Sequence, residues 1–241
     1  VATTVFKNAK LYVDAYDLST DINQHSVTVN VDAVENTTFG SDSRTYLPGL
    51  MTTTHQHNGY FDSDGTNEPD DVLDGNVSLI VTVAPTTGAN GEPAYITQSV
   101  RTDYSVLEGS VGDIAGFAFT GQGTGQHARG TILNTANTAV TVTGTGTAYQ
   151  VGAIAATETG YAALHVVSAS ASDTLDVVVQ SDDAEGFPSA TARITFTQAT
   201  AATAEWSSVA GAVTDDWWRV SHTVAGDGGE SFLYVVTFGI V

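Results

Sequence analysis

A chain of 241 residues, 41% hydrophobic and only 14% charged, can bury a core as one large β-domain or two smaller ones and is not a disordered sequence. Seven Lys+Arg against 27 Asp+Glu leave a net charge of −20, a field that repels phosphates and excludes stable DNA or RNA binding. The absence of cysteine excludes disulfides, Cys-ligated zinc and a thiol nucleophile.

The polar surface then has to come from Thr, Ser, Asn, Gln and Gly, which suits strands and turns better than long helices. Such acidity with only two lysines also fits work in high salt, where screening relieves self-repulsion. No apolar run approaches the roughly 18 residues of a membrane span, and Val1-Ala2-Thr3-Thr4 opens without a basic stretch leading into an apolar one. A soluble protein with no membrane partner and no signal peptide is expected.

In chain order, residues 5–13 read as a short strand, a turn near Asn8 and a second strand. Residues 14–21 are polar and turn-like. Val27, Val29 and Val31 alternate with Thr28, Asn30 and Asp32, so one face of this strand should bury valines while the other stays wet. After a polar excursion, Leu47-Pro48-Gly49-Leu50 is expected to turn the chain into a returning strand over 52–61. Residues 62–75 read as an acidic surface loop with room for one helical turn at Pro69–Leu73, since proline tolerates the first helical position.

Strands are expected next over 76–84, over 94–106 (a pair or one bent strand) and over 112–120, with close backbone approach at Gly116. Gly121, Gly123 and Gly125 suggest a hinge. This softly divides residues 1–120 from residues 121–241, with one intertwined unit as the alternative. Beyond it, strands recur over 128–133, 139–142, 147–154, 162–168, 174–180, 190–197, 204–209, 217–224 and 231–240. Many short strands between Gly and Ser/Thr turns indicate a mainly β fold, a sandwich or jelly roll.

Candidate chemistry is sparse. His55 and His57 share one face of a strand, as two ligands of a metal site would, but tetrahedral zinc needs a third; His25, His127, His165 and His222 are scattered. The alternative is ordinary polar histidines on a Thr-rich strand. Asp62, Asp64, Asn67, Glu68, Asp70 and Asp71 form an oxygen-rich loop that either holds a structural cation or is merely solvated, and its spacing misses the EF-hand pattern.

Asp182, Asp183, Glu185, Asp215 and Asp216 raise the carboxylate pair of a glycosidase, and Trp217, Trp218, Tyr149 and Tyr161 raise sugar stacking. On alternating faces, one Trp of the pair should be core. There is no G-x-S-x-G and no P-loop lysine. Neither an enzyme nor a cofactor is expected.

The order of motifs resembles one family. Lys7-Asn8-Ala9-Lys10-Leu11-Tyr12-Val13-Asp14 with Asp17-Leu18-Ser19 is similar to the start of tail tube proteins (major tail proteins) of long-tailed bacterial and archaeal viruses. The similarity continues through residues 29–33, 37–40, 47–50 and 59–62, and again through Ala163-Leu164-His165-Val166, 180–183, 186–189, 193–196 and Phe238-Gly239-Ile240.

This resemblance implies a tail-tube-type β-sandwich or barrel over 1–120 with a second, jelly-roll-like β-unit over 121–241. It implies self-assembly into rings, as hexamers or trimeric pseudo-hexamers, that stack into a hollow conduit for DNA. Its partners would be tail terminator, tape-measure and baseplate-type proteins, in a virion tail assembled in the host cytoplasm. The flanking helix of many such folds is not identifiable here. An acidic lumen would let DNA pass without holding it. Arg44, Arg101, Arg129, Arg193 and Arg219 are then the expected carboxylate partners between subunits, Arg44 first among them, with pairing inside one subunit as the alternative. The rival reading is a virion decoration or adhesion module that binds glycans through the C-terminal half.

Overall fold

A computed structural model describes residues 6–61 and 69–241. Its elements in chain order are β1 (Lys10–Val13), β2 (Tyr16–Asp17), β3 (Ile22–Glu35), β4 (Tyr46–Tyr60), α1 (Pro69–Leu73), β5 (Ser78–Ala84), β6 (Pro93–Glu108) and β7 (Gly116–Asn134). These are followed by β8 (Gly144–Thr145), β9 (Tyr149–Gln150), β10 (Thr159–Ala169), β11 (Thr174–Asp182), β12 (Thr191–Thr195), β13 (Thr203–Ala210), β14 (Trp217–Ala225) and β15 (Phe232–Ile240). The fold is mainly β, with every strand pairing antiparallel, as the short strands and turn-rich spacing require.

Two sheets organise it. The first runs β13-β10-β15-β7-β6-β5-β1-β2, and β4 adds the β3–β4 ribbon to the side of β7. The second runs β12-β11-β14-β8, with β9 also on β14.

The first sheet curls until β10 meets β5. Buried His165 lies within hydrogen-bond distance of the Thr82 hydroxyl (2.7 Å) and of the Asp14 carbonyl (2.7 Å). A carbonyl only accepts, so His165 Nδ1 carries the proton and Nε2 accepts from Thr82. Small side chains make the curl possible: Ala84, Ala94, Ala128 and Ala163 are fully buried inside it beside Tyr12, Ile96, Ile132 and Val235.

On its other side the first sheet serves two cores. One packs Leu11, Val13, Leu79, Val81, Phe117 and Phe119 with Val72 and Leu73 of α1. The other packs β10 and β15 against the second sheet through Leu164, Tyr234, Phe238, Val177, Val179, Trp218 and Val220. Strand β7 supplies Phe117 and Phe119 to the first and Leu133 to the second.

Several local expectations change. Residues 121–125 are no hinge; β7 runs through them without a break. Gly121 is needed for close approach, since a Cβ there would collide with the ring of His55, its partner across the ladder. Leu47-Pro48-Gly49-Leu50 lies inside β4, pairing with β3 through Pro48↔Ala33 and Leu47↔Val34. β4 has only one neighbour at that point, so the N–H missing from Pro48 is tolerated. Val29 and Val31 alternate as expected but are 42% and 53% exposed. Residues 139–142 make only an isolated bridge, Val140↔Phe232. The helical turn at Pro69–Leu73 is where proline placed it. The acidic run 62–68 lies outside the described residues.

Candidate assembly surface

The β3–β4 ribbon is longer than the sheet that carries it. Its strands pair from Ile22↔Gly59 to Glu35↔Tyr46, whereas β4 pairs with β7 only from Thr54 to Tyr60. Residues 46–52 therefore have β3 as their only strand partner among the described residues, and at about 3.3 Å per residue the ribbon projects roughly 23 Å beyond the sheet. Val29 still borders a cavity with Val83, Tyr95 and His127, but beyond it no buried apolar cluster among the described residues includes the ribbon's side chains. Val29, Val31, Val34, Phe39, Tyr46, Leu47, Leu50 and Met51 are all exposed, Phe39 completely and Leu50 by 80%. Arg44 reaches Glu35 across the tip at 3.7 Å, both side chains in solvent.

A second apolar group sits at the opposite end of the same sheet. The β6–β7 hairpin closes at Glu108↔Gly116, and Gly116 is also opposite Tyr60, at the base of the ribbon. Leu107, Val111 and Ile114 crown this turn at 65%, 107% and 72% exposure. Ribbon tip and turn thus point in opposite directions along β7. Together they form two apolar groups at opposite ends of one monomer's sheet.

The ribbon is fastened at its base by histidines. His57 lies between His25 on β3 and His55 on β4: His25 Nδ1 is 3.0 Å from His57 Nδ1, and His57 Nε2 is 3.1 Å from His55 Nδ1. His55 Nε2 then meets Ser99 Oγ of β6 at 2.8 Å. His55 and His57 are buried, and His57 packs on Phe119 with ring centroids 4.8 Å apart.

Burial pushes His55 down to about 4 and lowers His25. It holds His57 well below the ordinary imidazole value, with His55 and His25 adding to the shift. Both nitrogens of His55 and of His57 are taken by this chain, which leaves neither a lone pair for a metal. Among the described residues no group of three or more His, Cys, Asp or Glu side chains is placed to hold one.

The remaining sequence candidates are dispersed. Trp218 is fully buried, stacks on Phe238 at 4.2 Å and donates its indole N–H to the Gly152 carbonyl; Trp217 is half-buried. Tyr149 lies against Gly91, and Tyr161 pairs with Trp206 at 5.6 Å on a different strand pair. Asp182 is buried and accepts from the Ala184 and Ser189 N–H groups, a loop clamp. Asp215 accepts from Ser181 and Arg193, which lower its pKa. These carboxylates are engaged in holding turns and an ion pair.

Of the five arginines, Arg193 pairs with its own Asp215 at 2.9 Å. Arg219 lies over Phe187 and donates to Gln180, and Arg101 donates to the Asn76 carbonyl. Arg44 and Arg129 remain in solvent.

Sequence reasoning missed two parts of this surface: His25 as a neighbour of His57, and the apolar turn at 107–114. The strand register carries the signal for the first. Pairing β3 with β4 around residue 41 sets His25 opposite His57.

No family model matches the sequence, and no curated protein does. Among solved structures, a chain of the virion of a native gene transfer agent particle overlaps 53% of this chain and 98% of its own, at 15% identity and a TM-score of 0.43. A chain from the tail of an empty gene transfer agent particle, refined with C6 symmetry, overlaps 49% and 94%, at 14% identity and 0.40. A chain of the extended sheath–tube complex of an extracellular contractile injection system overlaps 54% and 92%, at 16% identity and 0.43.

Proposed function

We propose that this chain is the ring-forming structural subunit of a viral tail tube and that the stacked rings form a passive conduit for DNA. The observation that carries the reading is the pair of exposed apolar patches at opposite ends of one sheet. Full burial of a side chain such as Phe39, Leu50 or Ile114 is worth ~1.5–3 kcal/mol, so leaving all of them wet is a standing drive to associate. Patches at opposite ends of one sheet can meet with the tip of one copy on the turn of the next. They satisfy each other head to tail, a contact that repeats into an open stack.

The resemblance noted in the sequence points the same way. A net charge of −20 suits a wall that must let phosphates slide past. In this reading residues 1–120 form the tube wall and the C-terminal sandwich, 121–241, sits outside it. Rings are hexamers or trimeric pseudo-hexamers, and terminator, tape-measure and baseplate-type proteins meet them at the tube ends in the virion. Arg44, whose pair with Glu35 is solvated, and Arg101, Arg129 and Arg219, which meet no carboxylate among the described residues, are the arginines left for carboxylates of a second copy. No catalytic role is assigned.

Electron microscopy of the purified chain tests this. Rings and stacked tubes are expected, with Leu50→Asp and Ile114→Asp each leaving the circular dichroism of the fold intact while abolishing stacks. Discrete monomers at every concentration would overturn the reading. Monomers retained on a carbohydrate column would favour the decoration module instead.

A further inference from the structure

The histidine chain sits where the ribbon leaves the sheet, and its hydrogens can be counted. Each of its contacts, His25–His57, His57–His55 and His55–Ser99, holds with one hydrogen between the two atoms. It fails with two, where donors face each other, or with none. Neutral imidazoles carry one proton apiece, and two arrangements then satisfy the whole chain. In one, Ser99 donates to His55, His55 to His57 and His57 to His25. In the other every donor is reversed.

The ring hydrogens reach a maximum when His55 donates to Ser99 and the outer Nε2 of His25 is also protonated, which is one proton more than neutral. A first added proton therefore enters with every bond kept. A second sets N–H against N–H somewhere in the chain. The two buried rings have no room to slide apart: a Cβ on Gly121 would already overlap His55, and Phe119 closes on both His55 and His57, whereas His25 borders open space. A donor clash between His57, His55 and Ser99 is therefore relieved only when β4 parts from β6 and β7.

We propose that His25, His57, His55 and Ser99 form an acid-operated latch that takes up one proton intact and, on a second, releases the base of the ribbon from β6 and β7. The groups around it come from every neighbouring element. Lys7 and Lys10, the chain's two lysines, line the same 400 Å³ cavity as His25, with Lys10 held by Asp17 at 3.3 Å. They oppose the first proton. Tyr95 of β6 and His127 of β7 line a second cavity with His25, stacked on each other at 5.7 Å. Asp21, whose carbonyl accepts from the Tyr60 N–H, stands at the foot of the ribbon. β7 otherwise presents Phe119 and Gly121 to the buried rings.

Once the ribbon opens, each imidazole returns to its ordinary pKa of about 6.5. Opening should therefore grow by about 20-fold per proton taken up between pH 7 and pH 5, and by several hundred-fold for two.

Hydrogen exchange of the unassembled chain, corrected for the intrinsic pH dependence of amide exchange, reads this directly and independently of any tube. Amides of residues 54–60 and 116–122 should lose protection by that factor from pH 7 to pH 5, while those between β11 and β14 lose far less. His57→Gln keeps a donor and an acceptor but cannot gain a proton, and should flatten the response at least 20-fold. His25→Gln, at the half-buried end, gives the same test if the first variant does not fold. Equal losses in ribbon and sandwich, protection independent of pH, or full pH dependence in the glutamine variants would each overturn the latch.

Discussion

The C-terminal sandwich and the β3–β4 ribbon are built from the same alternating, β-branched sequence, and they use it in opposite ways. In the sandwich every large apolar side chain facing inward finds a second sheet: Trp218, Phe238, Tyr234 and Val220 are all fully buried. In the distal ribbon the same kind of alternation displays Val29, Val31 and Leu50 to solvent, and the loop at the tip adds Phe39. Alternation says which side chains share a face. Whether anything covers that face is decided by elements elsewhere in the chain or in another copy. One region closes its apolar face within the monomer, and the other leaves its apolar face uncovered among the described residues.

That contrast can be broken by mutation. Trp218→Ala should cost about 3–5 kcal/mol, the range for emptying a packed aromatic site, and should lower the melting temperature of the unassembled chain sharply. Phe39→Ala should leave that melting temperature unchanged within about 0.5 kcal/mol while shortening the stacks seen by microscopy. Equal thermal penalties would mean that the ribbon folds back onto its own subunit.

Acid should discriminate between regions on a smaller scale. His55 and His165 are both depressed to about 4 by burial, so the unfolded chain binds more protons than the folded one below about pH 6.5. Stability is then fully present above that pH and declines as pH falls toward 4, by up to ~3 kcal/mol for each group. Denaturant titrations at pH 7 and 4.5 measure the loss, and a flat profile would show that these rings are not neutral and buried.

Gly121→Ala comes next. It should cost about 1–3 kcal/mol by driving a methyl into His55, whereas a hinge glycine would tolerate alanine. Arg44→Ala is the smallest, about 0.5 kcal/mol or less in the unassembled chain, because its ion pair with Glu35 is solvated.

Much of the fold was legible because turn residues and alternation are local signals. The strands near 76–84, 94–106, 162–168, 174–180, 190–197, 204–209, 217–224 and 231–240, the Pro69–Leu73 turn of helix and the burial of one Trp of the pair all follow from spacing. Those expected over 139–142 and 147–154 shrink to a bridge and a two-residue strand. What was not legible depended on distant partners. Gly121 and Gly123 read as a hinge because nothing nearby shows that His55 and Thr53 lie across the ladder from them. Leu47-Pro48-Gly49-Leu50 reads as a turn because proline and glycine usually end strands, and only the missing second neighbour of β4 lets the strand continue. The surface of the candidate site was hidden for the same reason. Ile114 reads as part of a strand over 112–120, but β7 begins only at Gly116, and the register places Val111 and Ile114 in the turn at the far end from the ribbon tip.

The most direct test uses the absence of cysteine from the chain. With Leu50→Cys and Ile114→Cys combined, a short bis-maleimide should link tip to turn between copies and give a ladder of covalent multimers. Each single substitution should give no ladder beyond a dimer. Efficient dimers from Leu50→Cys alone, with no ladder from the double variant, would show the ribbons meeting tip to tip and would contradict head-to-tail stacking.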